Sequence, residues 1–371
     1  MALQVQTFLR SFPDAATALA AIAAPPHGIM IQSDGRRALL NYGLGTPKGG
    51  MYDECRALVL ALPSFDVLSQ SFRRFYNAHD VHAAIIDWPT AVAEEKLDGS
   101  LVAFYHDGDH WNFHTRGMLD ALGPLAERGV TFRSQLEAII LARTGAPANA
   151  LFAAEDPDLC FVCEYVGPYN RIVTRYLTED LYLLTSINRR TGREIGASYS
   201  GTWPFSKPRI YDLPRSLEGL IASMAALPPL AEGYVVRDAA FNRIKVKNPS
   251  YLSIAESVNA GNAPTDRHFA RLALLGDTAK IKGYFPEFAE RIERYEKFAD
   301  AIAAKAERLW EENRAAPDQK TFALAVKETL LSSWLFKRRA GSTALGARDW
   351  MTESFRPEKL VDLAARMEPT H

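Results

Sequence analysis

The pattern of apolar and polar positions changes near residue 253. Before that point, short runs rich in Val, Ile, Phe and Tyr alternate with turn residues, which is typical of β-strands. Residues 101–105 and 111–115 flank an Asp-Gly-Asp turn and predict a β-hairpin. Four further runs predict strands, at residues 161–166, 181–187, 234–237 and 243–247. A helical insertion is predicted at about residues 131–143.

Beyond residue 253 the apolar positions follow a helical period. Phe288, Ile292, Tyr295, Phe298 and Ile302 recur at spacings of three and four, as on one face of a long helix. Later residues predict another helix start at 317–318 and a break at 341–342. The chain is therefore predicted to be α+β. A mixed or antiparallel-sheet domain (residues 1–253) is followed by an all-helical domain (residues 254–371).

Composition limits the classes of protein that fit. Hydrophobic residues make up 47% of the 371-residue chain and charged residues 23%, as in globular proteins. No run reaches the ~18 apolar residues of a membrane helix, so no membrane association is expected. Three cysteines favour a reducing cytoplasm over a disulfide framework. The net charge of −1 gives no global sign of nucleic-acid binding, so a polyanion would need a local basic patch.

The first candidate for chemistry is the run Lys96-Leu97-Asp98-Gly99-Ser100, which leads directly into a predicted strand. It places an amine beside a tight Asp-Gly turn, where the backbone approaches a ligand closely. Such a run in isolation is more often an ordinary surface loop.

Four other segments share its chemical theme. Lys245 and Lys247 lie two apart in a predicted strand and so face the same side, where an anion would neutralise them. A solvated edge strand is the alternative for an isolated Lys-x-Lys. The other three segments contain Glu164 before Asn-Arg-Ile-Val, Glu232 before Gly-Tyr-Val, and Glu-Cys-Arg56 followed by a basic-aromatic run.

Together these residue types suit nucleotidyl transfer. A lysine attacks a phosphate only when unprotonated, and its ordinary pKa of ~10.4 leaves it charged near neutrality. Neighbouring cations, here the paired lysines and a bound Mg²⁺, lower such a pKa and stabilise the departing pyrophosphate. Glu164 and Glu232 are the carboxylates available to orient the ribose, the lysine or metal-bound water.

In order and approximate spacing, the motifs resemble the covalent nucleotidyltransferase superfamily of RNA ligases, DNA ligases and mRNA capping enzymes. Within it, they are most similar to the bacteriophage-type tRNA-repair RNA ligases, the RNA ligase one family. The resemblance covers about residues 35–255 and continues more loosely into the helical region.

The resemblance implies a role for each matching residue. Lys96 would be the nucleophile that carries AMP from ATP, and Glu232 would lie near it and near Mg²⁺. The implied catalytic residues are Lys96, Glu164, Glu232, Lys245 and Lys247. The implied ATP-site residues are Tyr42, Arg56, Arg74, Lys96, Asp98, Gly99, Arg116, Glu164, Lys245, Lys247 and Tyr251. Among these, Glu164 would contact the ribose, and the lysines with Arg56 and Arg74 would contact phosphates.

Two positions depart from the family pattern. Ala57 stands where glycine is frequent, which we interpret as a mild change, and Arg74 stands where lysine is usual, which keeps the charge.

The resemblance also implies the reaction and its partners. RNA 5′-phosphate and 3′-hydroxyl ends would be joined through lysyl-AMP and RNA-adenylate, with the cleaved tRNA anticodon loop as the family's substrate. No obligate protein partner is expected. The alternatives are a DNA ligase or a capping-type enzyme, which usually append an OB-fold barrel, and a non-catalytic nucleotide- or RNA-binding relative.

Overall fold

The chain divides into two compact units, Met1–Leu252 and Ser253–His371. The structure, a computed structural model, describes residues 2–125, 129–258, 264–276 and 278–367. No helix in these ranges is long and apolar enough to cross a membrane.

The described strands all lie in the first unit. They are β1 (Ile29–Ser33), β2 (Arg37–Tyr42), β3 (Leu58–Ala61), β4 (Val67–Ser69), β5 (Tyr76–Asn77), β6 (Val92–Glu95), β7 (Ser100–His106), β8 (Trp111–Thr115), β9 (Leu159–Val166), β10 (Asp180–Asn188), β11 (Glu194–Gly196), β12 (Ile210–Tyr211), β13 (Gly233–Arg237) and β14 (Arg243–Lys247).

These strands form three sheets. The order is β1-β2-β3-β4 in the N-terminal sheet, β11-β10-β9-β7-β8 in the central sheet and β12-β6-β13-β14-β5 in the third. All neighbours are antiparallel except β14 and β5, which are parallel.

The helices differ in distribution between the two units. Those that begin in the first unit are α1 (Gln4–Leu9), α2 (Ala15–Ala23), α3 (Met51–Glu54), α4 (Phe132–Thr144), α5 (Leu217–Ser223) and α6 (Pro249–Ser257). The described part of the second unit holds α7 (Asp266–Leu275), α8 (Ala279–Tyr284), α9 (Ala289–Asn313), α10 (Gln319–Val326), α11 (Ser332–Arg339), α12 (Ala347–Ser354) and α13 (Pro357–Met367).

The structure confirms the predicted fold class. The hairpin is β7–β8, the four other predicted strands are β9, β10, β13 and β14, and the helical insertion is α4. In the second unit the apolar stripe lies on α9, and the Asp318 side chain caps α10 by accepting a hydrogen bond from the Thr321 N–H at 2.8 Å.

One turn connects the third sheet to the central sheet and positions the candidate nucleophile. Lys96 directly follows β6 in the third sheet, and four residues later the chain enters β7 in the central sheet. The Lys96 N–H donates to the Gly233 carbonyl at 3.0 Å, which extends the pairing of β6 with β13. Lys96 is therefore held where the two sheets approach each other.

Two glycines allow this close approach. A Cβ on Gly99 would lie 2.3 Å from the carbonyl oxygen of Tyr165 in β9. Gly233 has φ +127°, and a Cβ there would lie 2.2 Å from the Val246 oxygen in β14. Both contacts are with backbone, which cannot rotate away, so any larger residue would separate the strands around Lys96.

The backbone at Ala57 has a conformation that glycine adopts more readily than alanine. Ala57 is buried and has φ +53°, in the left-handed region that glycine enters freely and other L-residues rarely adopt. The interpretation of Ala57 as a mild change is therefore wrong in conformational terms, because a Cβ is held here in a strained backbone geometry.

Candidate active site

The centre of the site is a carboxylate held between two lysines. The Lys96 Nζ donates to one oxygen of Glu232 at 2.6 Å, and the Lys247 Nζ lies 3.0 Å from the other. Glu232 is 6% exposed, and the Lys96 side chain 18%. The pairing of β13 with β14 places Gly233 opposite Lys247, which brings Glu232 beside the end of β14. The sheet register thus assembles the triad.

Lys245 lies on the same face of β14 as Lys247 and packs against an aromatic ring. Its Nζ is 4.6 Å from the centre of the Phe75 ring. Burial, reinforced by the nearby Arg56 and Lys96 charges, lowers the pKa of Lys245 to about 7. Near neutrality this lysine is only partly charged, and an arriving anion would favour its protonated form.

Glu164 faces these cations from the central sheet. Burial raises the pKa of its carboxyl to about 7, against the opposing effects of Lys96 and Arg56. Glu164 lies on β9 opposite Leu101 of β7, close to the Gly99 contact. The two sheets therefore contribute a carboxylate each, and Lys96 lies between them.

Arg56 supplies a buried cation with spare hydrogen-bonding capacity. Its guanidinium packs 4.3 Å from the Phe72 ring centre and 5.4 Å from that of Phe75. Its Nη1 is buried and has no hydrogen-bond partner among the described residues. An unsatisfied buried donor is costly, and a ligand oxygen would relieve that cost.

A second cationic group surrounds Tyr42. The guanidinium carbons of Arg74 and Arg116 lie 4.2 and 4.6 Å from the centre of the Tyr42 ring. Arg116 also donates to the Asn41 side chain at 3.2 Å and to the Tyr42 carbonyl at 3.3 Å. Burial lowers the pKa of Arg56, and the nearby charge of Arg116 contributes to that lowering. The structure thus brings these predicted residues together beside Arg56.

Asp98 and Tyr251 are engaged with protein atoms. One Asp98 oxygen accepts the N–H groups of Val173 and Thr174 at 2.8 and 2.7 Å. The other accepts the Tyr251 hydroxyl at 2.7 Å. Both side chains are almost fully buried. This geometry supports a role in holding the 96–99 turn, rather than the nucleotide contact that the resemblance implies.

A cavity of about 90 Å³ opens between the two sheets. Its wall contains Arg56, Phe75, Lys96, Glu164, Val235 and Arg243. Sequence reasoning missed Arg243 as a site residue, although alternation in β14 puts it on the same face as Lys245 and Lys247. Phe72 and Phe75 were missed as well, because nothing in their spacing signals contact with Arg56.

The carboxylates do not form a self-sufficient metal site. Within the described ranges, no cluster of three or more His, Cys, Asp or Glu side chains could hold a metal ion. Mg²⁺, however, commonly binds through one or two carboxylates together with substrate phosphates and water. Glu232 and Glu164 fit that mode of binding.

Comparison with known proteins gives a relative that matches about two thirds of the chain. The chain is 30% identical over 257 residues to a putative bifunctional polynucleotide kinase/RNA ligase of Autographa californica nuclear polyhedrosis virus. The chain is similar to an RNA ligase. The match covers 65% of this chain and 36% of the viral protein, so the chain spans about a third of its relative. This relative agrees with the resemblance indicated by the motifs.

Other comparisons add less. No family model matches the chain. An archaeal ATP-dependent RNA ligase aligns over 100% of this chain and 84% of its own, with 14% identity and a TM-score of 0.49. A Naegleria gruberi RNA ligase crystallised with ATP and Mn covers 45% of this chain and 52% of its own, at 15% identity and a TM-score of 0.31. Likenesses of this size carry no argument about activity.

Proposed function

We propose that this chain is an ATP-dependent RNA ligase, with Lys96 as the residue that becomes adenylated. The observation that carries the proposal is the pairing of Lys96 with Glu232 at 2.6 Å. Lys247 contacts the same carboxylate, and the charges of Lys245 and Arg56 lie close to Lys96. A nucleophilic lysine needs a proton acceptor beside it and cations around the leaving group. The sequence similarity to a putative RNA ligase supports the same reading.

The first step follows from this geometry. Lys96 gives up one ammonium proton, for which Glu232 is the adjacent acceptor, and its nitrogen attacks the α-phosphorus of ATP. A nitrogen–phosphorus bond forms, the bond from the α-phosphorus to the oxygen that bridges to the β-phosphate breaks, and pyrophosphate leaves. The nitrogen loses its second proton to pyrophosphate or water. Lys245, Lys247 and the free Nη1 of Arg56 would stabilise the negative charge.

Two further steps would complete sealing. The 5′-phosphate of an RNA end attacks the lysyl-AMP phosphorus, returning the amine to Lys96 and forming RNA-adenylate. A 3′-hydroxyl then attacks that 5′-phosphate, forming the phosphodiester and releasing AMP. The same cations would stabilise charge in each step.

Mg²⁺ would bind in the pocket together with the phosphates of ATP. Glu232 and Glu164 are the carboxylates that would hold it, directly or through water. When bound, Mg²⁺ would supply positive charge to the phosphate oxygens.

We propose RNA, rather than DNA or an mRNA cap, as the substrate. The described part of residues 253–371 is helical, whereas DNA ligases and capping enzymes usually carry a barrel after the paired lysines. We propose that this helical unit helps to bind the RNA, and that a cleaved tRNA anticodon loop is the substrate to test first. The three cysteines are free and buried, which supports a reducing cytoplasmic location.

The deciding experiment uses ATP labelled on the α-phosphate, with Mg²⁺ and the full chain. Label should remain on the denatured protein and be absent from Lys96→Ala. Glu232→Gln should bind ATP but form adduct slowly, because the acceptor for the lysine proton is lost. Label taken from GTP in preference to ATP, or retained by Lys96→Ala, would contradict the proposal.

The RNA substrate is tested separately. The full chain would be supplied with 5′-phosphorylated single-stranded RNA, a nicked duplex and a cleaved tRNA, and joining would be followed by gel electrophoresis. Joining of DNA ends faster than RNA ends would favour the DNA ligase alternative.

A further inference from the structure

Two large cavities adjoin the pocket of Lys96 within the first unit, and apart from Arg74 and Arg243 their lining residues take no part in the proposed chemistry. The first, of about 820 Å³, shares Phe72, Phe75 and Arg243 with the wall of the Lys96 pocket. The second, of about 500 Å³, shares Ala2, Leu3, Gln70 and Gly192 with the first. Pockets for one small molecule measure about 300–1,000 Å³. We call the two cavities together the groove; their combined volume exceeds what one small ligand requires.

The charge of this groove favours a polyanion. Seven arginines and four carboxylates line it. Several arginines are paired, notably Arg243 with Glu194 and Arg189 with Asp158. Arg73 is paired with Glu54 at 2.7 Å but its side chain remains 61% exposed, and Arg193 is exposed in the β10–β11 turn. In a chain whose net charge is −1, the groove thus carries more arginines than carboxylates, and its first cavity borders the pocket of Lys96.

Aromatic rings share the wall of the first cavity with four of these arginines. Phe72, Phe75, Tyr76 and Phe241 line the first cavity. Binding sites for single-stranded nucleic acids combine a cationic groove with aromatic rings on which bases stack. Neither a duplex nor a small phosphate ligand needs several separate rings.

Phe241 is held in an unfavourable conformation. It lies in the β13–β14 turn with φ +63°, where a bulky residue is a conformational outlier. The turn is fixed by Asp238, whose carboxylate accepts the N–H groups of Ala240 and Asn242 at 3.0 and 2.9 Å. Backbone strain of this kind is found disproportionately at ligand-binding positions. The Phe241 ring lies 5.3 Å from the guanidinium of Arg237 and 5.8 Å from that of Arg243.

We propose that this groove binds the single-stranded RNA end that is delivered to Lys96, with Phe241 as a base-stacking residue and Arg193 as a phosphate contact. The inference rests on the proposed RNA ligase function and adds a binding site for the RNA strand on the first unit. The wall shared at Phe72, Phe75 and Arg243 is where the terminal phosphate would enter the pocket of Lys96.

The test compares Arg193→Ala and Phe241→Gly with Arg143→Ala in the full chain. Arg143 is an exposed arginine on α4 that lines neither cavity, so it controls for loss of one charge. Phe241→Gly removes the ring while relieving the positive-φ strain, so the turn should keep its fold. The probe is a 5′-phosphorylated, 3′-blocked single-stranded oligoribonucleotide, whose dissociation constant is measured over a range of KCl concentrations without ATP.

Arg193→Ala should lower the slope of log affinity against log salt by about 0.7, the value for one lost phosphate contact on a single strand. Phe241→Gly should weaken binding roughly tenfold with little change in that slope. Arg143→Ala should match the unmodified chain in both. A merely structural role for Arg193 would not change the salt slope by the amount of one phosphate.

Lysyl-AMP formation from α-labelled ATP, measured without RNA, separates the remaining outcomes. All three variants should be adenylated with an unchanged KM for ATP. A raised KM for ATP in Arg193→Ala or Phe241→Gly would show that the groove holds the triphosphate and would overturn the RNA assignment. Unchanged RNA binding in both variants would overturn it too. Absence of lysyl-AMP in the unmodified chain would instead reject the proposed function, whatever the RNA affinities.

Discussion

Removal of the Tyr251 hydroxyl distinguishes a positioning role from a nucleotide contact. In Tyr251→Phe the ring still fills its place, so no cavity forms, but Asp98 loses the donor at 2.7 Å. Asp98 is 3% exposed and Tyr251 4%, so bulk water does not readily replace that donor. A hydrogen bond to a charged group is worth about 1.5–3 kcal/mol. The two N–H groups that remain on Asp98 favour the lower end of that range.

Loss of the Tyr251–Asp98 hydrogen bond should lower the stability of the first unit as well as the rate of its reaction. We expect the free energy of unfolding of the first unit, measured in urea, to fall by about 1.5–2 kcal/mol. Hydrogen exchange at the Val173 and Thr174 amides should accelerate, since both donate to the same carboxylate. The rate of lysyl-AMP formation at saturating ATP should fall, because the 96–99 turn is less firmly held, while the KM for ATP stays nearly constant.

The controls isolate the hydrogen bond itself. Tyr211→Phe removes a hydroxyl from a tyrosine on β12 that takes no part in the Asp98 network and should change stability by less than about 0.5 kcal/mol. In a double-mutant cycle, Asp98→Asn and Tyr251→Phe should couple by about 1 kcal/mol or more. The reasoning is refuted if Tyr251→Phe unfolds and exchanges like the unmodified chain while its KM for ATP rises. Tyr251 would then act on the nucleotide.

Three further substitutions test other parts of the site. Gly99→Ala should destabilise the first unit by more than about 3 kcal/mol and abolish lysyl-AMP formation, because its Cβ would lie 2.3 Å from a backbone oxygen; normal denaturation would refute the contact. Glu164 has a pKa raised from 4.5 to about 7, so its contribution to stability is complete below pH 4.5 and is lost as the pH rises through 7. Glu164→Gln should remove that slope in urea denaturation across this range, and an unchanged slope would contradict the pKa. The pKa of Lys245 is lowered to about 7, so this lysine should take up a proton when a non-cleavable ATP analogue binds at pH 8. Calorimetry in buffers of different ionisation enthalpy should detect that proton uptake in the unmodified chain and a smaller uptake in Lys245→Arg.

Sequence patterning predicted the strands nearest the chemistry because those strands are regular. β9, β13 and β14 are five to eight residues long and bounded by turn residues, so the apolar pattern stands out. The four-stranded N-terminal sheet was not predicted. Its strands include β4, of three residues, and β2 and β3, whose short buried runs do not alternate. A run of that length does not distinguish strand from helix.

The candidate site was predictable as a set of residue types and not as a geometry. Lys96 and Glu232 are 136 residues apart, and their contact exists only because β6 pairs with β13. Asp98 and Tyr251 are 153 residues apart, and their hydrogen bond supports a positioning role that the motif alone does not indicate. Short motifs specify which groups the chemistry needs. The strand register decides which of those groups meet, and that register is set by long-range packing.

The lowered pKa of Lys245 and the pairing of Glu232 with Lys96 and Lys247 explain why these cations can lie close together without a ligand. Lys245, Lys247, Lys96 and Arg56 crowd one space, and burial adds a cost to every charge. The pocket relieves this cost by lowering the pKa of Lys245 to about 7 and by pairing Lys96 and Lys247 with Glu232. A triphosphate would reverse the balance, since its charge favours protonated Lys245 and competes with Glu232 for Lys247. Under the proposed function, binding of ATP therefore strengthens the field that stabilises pyrophosphate and weakens the pairing of Glu232 with Lys247. Departure of pyrophosphate returns Lys245 toward neutrality, which weakens the hold on the product and leaves the groove side of the pocket open to RNA.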